Sequence, residues 1–153
     1  MKNEYETSRD TAEIKGIGIF SRKLKDDAIA SFSADDRTRT GQKVVDAVCE
    51  SLGVQSVKLT VRDSPQRHRD DGMGRTRSKT LGSYTYSGNR GLGITVWNKT
   101  AKKLLTVSGK TFFGTLLHEI CHHIDITKLG FSRSPHTAGF YRRISYLDSR
   151  FVG

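Results

Sequence analysis

The chain is poor in cysteine, proline and tryptophan, with two, two and one in 153 residues. Cys49 and Cys121 form no C-x-x-C pair, so neither a cysteine-based zinc site nor a dithiol redox motif is indicated. Both read as buried apolar residues. No apolar run approaches the roughly 20 residues needed to span a bilayer. The first ten residues lack the apolar core of a secretory signal, so a cytoplasmic location is expected. A hydrophobic content of 35% and a charged content of 27% suit a globular domain with a core of ordinary size.

Acid is the most informative shortage. No glutamate follows Glu119. Residues 1–71 hold 13 Lys and Arg against 13 Asp and Glu, whereas residues 72–153 hold 13 against three: Glu119, Asp125 and Asp148. The net charge of +10 therefore comes from the second half alone. Such a field attracts polyanions, either nucleic acid or an acidic protein.

Against these absences stands one dense stretch, residues 111–140. It contains His118-Glu119-Ile120-Cys121-His122, an H-E-x-x-H string. On a helix, residues i and i+4 stack on one face, so His118 and His122 offer two imidazole nitrogens to one metal ion. Glu119, beside the first ligand, can reach a metal-bound water as general base. Phe112, Phe113, Leu116, Leu117, Ile120, Cys121 and Ile124 recur at three- and four-residue spacings and predict the helix, with Gly130 at its end.

A catalytic zinc site needs a third protein ligand and an open position for water. A downstream glutamate is excluded. His123 lies about 100° round the helix from His122 and points away. Asp125 shares the ligand face at a strained bite, and reads better as a carboxylate holding an imidazole from behind. His136 is the expected third ligand. Ser134-Pro135 reads as a helix cap and first-turn proline, and His136, Phe140, Ile144, Leu147 and Phe151 form one helical stripe.

The H-E-x-x-H string followed by His136-Thr137-Ala138-Gly139-Phe140 resembles the SprT-like zinc metallopeptidases, a group with Spartan-type and WLM-type members. In that group a histidine with an aromatic as its fourth neighbour follows the string. The resemblance covers residues 81–147. It implies an α+β, minimal zincin-like fold: a small mixed or antiparallel sheet packed on the H-E-x-x-H helix, then a second helix. It also implies Zn2+ as cofactor and hydrolysis of a protein or peptide substrate, which lies along Gly93-Ile94-Thr95-Val96 by strand addition. His118, His122 and His136 would hold the metal and Glu119 would act as base. Tyr141, Arg142 and Tyr84 are the candidates for stabilising the oxyanion. DNA is a further expected partner through the basic half, with DNA-associated proteins as substrates. The alternative is a basic nucleic-acid-binding module with a structural zinc site and no catalysis. Structural sites are closed by four protein ligands, and the chain offers three good ones.

Residues 1–35 read as a polar, partly flexible segment, with fraying over residues 1–13, and residues 36–153 as a single zincin-like domain. Residues 16–20 alternate apolar with glycine and suit a short edge strand or a segment docked on the core. Residues 40–52 predict a helix ended by Gly53, and residues 54–62 a strand. Residues 63–78 read as a long basic loop, with His68 outside the metal site. Residues 81–86 and 91–97 predict two strands joined by a turn at Ser87-Gly88-Asn89-Arg90.

Overall fold

The computed structural model describes residues 1–66 and 81–153, together with the backbone of residues 75–79. Within these lie five α-helices and a four-stranded mixed sheet, an arrangement compatible with the α+β class.

Helix α1 spans Glu4–Asp10, α2 Arg22–Ala30, α3 Ala34–Leu52, α4 Gly109–Ile124 and α5 Ala138–Asp148. Each start has a local cause. The side chains of Asn3, Ser21, Ser33, Ser108 and Thr137 accept from the backbone of Glu6, Lys23, Asp36, Thr111 and Phe140, satisfying N–H groups the helix itself cannot. α3 ends where Gly53 turns left-handed at φ 67°. α4 continues into a single π-helical turn, Asp125–Leu129, which Gly130 ends at φ 75°.

The strands are β1 Leu59–Arg62, β2 Arg75–Lys79, β3 Gly82–Ser87 and β4 Arg90–Trp97, in the order β1-β4-β3-β2. β1 runs parallel to β4; the other two pairings are antiparallel. Alternation places Leu59, Val61, Tyr84, Tyr86, Ile94 and Val96 in the core. The core face of the sheet meets α3 at β1 and α4 at β3 and β4. α4 is buried almost all round, from Phe112 to Ile124 with Gly114 the one exception, and is the central rod of the fold.

Three expectations are corrected. β4, which carries Gly93-Ile94-Thr95-Val96, lies inside the sheet and not at its edge. Leu59↔Ile94 and Tyr84↔Ile94 pair it on both sides, so its backbone cannot receive an added strand. Residues 75–78, read as loop, form with Lys79 the strand β2 at one end of the sheet. Its sequence, RTRSK, has no apolar alternation, and pairing with β3 imposes the extended form. Residues 67–74 of that loop, with His68, lie outside the described residues. Residues 4–10, expected to fray, form α1, whose Ser8 is fully buried. Ile14, Ile17, Phe20 and Ala28 join the same apolar cluster as α3 and α4. The 16–20 segment docks on the core through a parallel bridge, Phe20 to Phe151, and through hydrogen bonds of Gly18 with Ser51 and Arg150.

Candidate metal centre

α4 stacks His118 and His122 one turn apart, 4% and 0% exposed, while His136 approaches from the loop before α5 and is exposed on its outer side. The Nε2 atom of His136 stands 3.2 Å from that of His118 and 3.0 Å from that of His122. All three ligand nitrogens fall within 4.8 Å of one another. A tetrahedral ion with bonds of about 2.0–2.1 Å sets neighbouring ligand nitrogens about 3.3–3.4 Å apart. The cluster therefore fits a metal ion held by three imidazoles, with the exposed side of His136 open to solvent.

His136 reaches this point by a route different from the one expected. α5 begins at Ala138, with Thr137 as its cap, so His136 precedes the helix. Ser134 is not a cap. It is fully buried, at φ 43°, because its hydroxyl is used elsewhere. Ser134 Oγ donates to Asp125 Oδ2 at 2.8 Å and lies 2.6 Å from His122 Nδ1. With its proton committed to the carboxylate, the hydroxyl accepts from Nδ1–H. That tautomer leaves the His122 Nε2 lone pair facing the metal position.

Asp125 thus holds its imidazole through Ser134 and not directly. Arg143 donates to Asp125 Oδ1 from Nε at 3.2 Å and to Oδ2 from Nη2 at 3.0 Å, and both residues are 0% exposed. Burial pushes the Asp125 carboxyl up to about 6, against the opposing pull of Arg143 and Ser134. Arg143 was not singled out from the sequence. A signal was there: it falls three residues after Phe140 and four before Leu147, a charge on a buried face.

Phe140 explains the aromatic after the third histidine. Its ring lies 5.0, 4.5 and 5.1 Å, centroid to centroid, from His118, His122 and His136. It walls the three imidazoles on one side and excludes water there. Glu119 is 0% exposed and lies against the first residue of β3. A Cβ on Gly82 would fall 2.8 Å from Glu119 Oε2 and 2.7 Å from Thr115 Cγ2, so the bare backbone of Gly82 makes the space the carboxylate occupies.

His123 faces away from the centre. Its Nε2–H donates to Gln55 O at 2.9 Å and its Nδ1 accepts from the Tyr84 hydroxyl at 2.8 Å. Burial lowers its pKa and keeps it neutral. Tyr84 is therefore committed, with 0% exposure and a pKa that burial raises. Tyr141 is half exposed, with its ring 6.2 Å from that of His118 and 6.0 Å from that of His136. Arg142 joins Tyr141, Glu13 and Tyr146 in a surface groove of about 540 Å³.

Cys49 and Cys121 are both buried free thiols, and burial raises the pKa of each. Compared with protein-family models, with curated proteins and with solved structures, the chain matches none.

Proposed function

We propose that the protein is a zinc-dependent endopeptidase of SprT-like type. The observation that carries this reading is the convergence of His118, His122 and His136 at separations suited to a tetrahedral ion, with Glu119 next to the first ligand. The donor set supports zinc: three imidazoles, one of them exposed, suit a catalytic site better than a closed one with four protein ligands. The structural-zinc alternative requires a fourth protein ligand, and among the described residues the cluster holds three. A small mixed sheet packed on the H-E-x-x-H helix, followed by α5, is compatible with a minimal zincin-like domain.

When bound, zinc lowers the pKa of water towards neutrality and polarises a carbonyl. The residues supply the rest. Glu119 accepts the proton of the attacking water and passes it to the leaving amine. Its buried place against Gly82 holds the carboxylate still for both transfers. Tyr141, the exposed phenol beside the imidazoles, donates to the oxyanion as it develops. Phe140 keeps bulk water from one flank. An extended substrate adds to β2, the end strand beside β3, because β4 is occupied on both sides and β3 is the strand that lies against Glu119 at Gly82.

The substrates include proteins held on DNA. Of the three acids in residues 72–153, Glu119 and Asp125 are fully buried, and Asp148 pairs with Lys25 at 2.9 Å. The surface of that half is accordingly basic. Glu119→Gln is the test, with cleavage of unfolded casein followed with and without DNA across a salt series. The variant is expected to keep its metal and lose about 10²–10⁴-fold in rate, the usual worth of a general base. Wild-type activity is expected to rise with DNA and to lose that rise as salt increases. Full activity in Glu119→Gln would refute the base assignment; indifference to DNA would leave a peptidase without that substrate class.

A further inference from the structure

Helix α1 lies against the segment that carries Ser134 and His136. Glu4 Oε1 accepts from the backbone N–H of Ser132 at 2.5 Å and from its hydroxyl at 2.9 Å. The Ser8 hydroxyl lies 3.0 Å from that of Thr137, the cap of α5. Arg143 Nη1 donates to Ser8 O and Thr11 O, at 2.7 Å each, and Nη2 donates to Ser8 Oγ at 3.0 Å. At Gly139 the backbones of α1 and α5 are in contact, since an added Cβ would fall 2.0 Å from Ser8 O.

These contacts are one end of a continuous chain. It runs from the carbonyls of α1 to Arg143, then to Asp125, Ser134 and His122 Nδ1. Ser8 O accepts from the Thr11 backbone N–H at 3.3 Å as well as from Arg143, and a guanidinium is a cation suited to a helix C-terminus. Three of the five hydrogen bonds of Arg143 go to Ser8 and Thr11. Without α1, a buried cation would have to find new acceptors. Asp125 is the nearest carboxylate, and the orientation of Ser134 depends on it.

We propose that α1 is a clamp on the metal centre. Ser8 and Arg143 are positioning residues: they act through Asp125 and Ser134 on His122, and through Thr137 on the segment carrying His136. Metal retention therefore depends on residues 3–11, and detaching α1 switches the site off. This inference rests on the metal centre proposed above.

The test measures zinc affinity by chelator competition and the visible bands of the cobalt-substituted protein. Wild type is compared with Ser8→Ala, Glu4→Ala, Arg143→Met and Arg143→Lys, with folding followed by circular dichroism. Arg143→Met is expected to bind zinc about 10–100-fold more weakly, the usual effect of removing support behind a ligand, with shifted cobalt bands. Arg143→Lys restores part of this, because an ammonium cannot fork between Asp125 and the α1 carbonyls. Ser8→Ala and Glu4→Ala show smaller losses in the same direction, and they decide the matter if Arg143→Met does not fold. Folded variants with wild-type affinity and bands would overturn the clamp. Wild type that binds no metal would instead strike the metal centre itself.

Discussion

At the scale of single residues, the site separates two tyrosines that composition treats alike. Tyr84 is committed to His123, and Tyr141 is open beside the imidazoles. Tyr84→Phe strands the buried Nδ1 of His123, so it is expected to cost about 1–3 kcal/mol of stability and little activity. Tyr141→Phe is expected to leave stability unchanged and lower kcat on the order of 10²-fold. Urea unfolding and steady-state kinetics on both variants check this, and the reverse pattern would exchange their roles. His123 carries a pH prediction. Its folded pKa lies below its ordinary 6.5, so the unfolded chain binds a proton that the folded one refuses. Stability from this group is full above 6.5 and is lost as pH falls below it. Asp125 acts in the opposite sense: raised from 3.8 to about 6, it favours the folded state as pH falls through that window. The difference between wild type and His123→Gln isolates the histidine. Metal-free wild type is expected to lose more stability than the variant between pH 7 and 5, and equal slopes would contradict the assignment. The clustering of the three histidines was legible in the sequence because the i, i+4 spacing and the fourth-neighbour aromatic are local patterns. Ser134 and Arg143 were not, because their partners lie 9, 12, 18 and 135 residues away.

At the scale of elements, β3 and α4 meet at Gly82. An alanine there must displace Thr115 or the Glu119 carboxylate, and the carboxylate is the far end of a flexible side chain. Gly82→Ala is expected to keep metal and fold while losing about 10²-fold in kcat, since a shift near 1 Å misplaces the base. Activity at the wild-type level would show that the contact does not set Glu119. α3, α4 and the β3–β4 hairpin were legible because their apolar residues repeat at helical or alternating periods and Gly53, Gly130 and Gly88 mark their ends. α1 and α2 were not. Each buries a single residue, Ser8 in one and Ala28 in the other, which leaves no apolar stripe to read. Strand order was hidden for another reason. Leu59 and Ile94 pair from 35 positions apart in the chain, and nothing local marks β4 as central.

At the scale of the whole molecule, the N-terminal 35 residues and the later segments share one apolar cluster, and the site lies where they join. Glu119 and Asp125 are buried at the centre together with Arg143. Among the described residues no helix is long and apolar enough to cross a membrane. The central claim is that imidazoles from α4 and from the loop before α5 jointly hold one metal ion. Elemental analysis of purified protein, wild type beside His136→Ala, tests it most directly. The account predicts about one zinc per chain in wild type and close to none in a variant that remains folded, since two imidazoles on one helix leave a catalytic site a ligand short. Equal zinc in both proteins would contradict it.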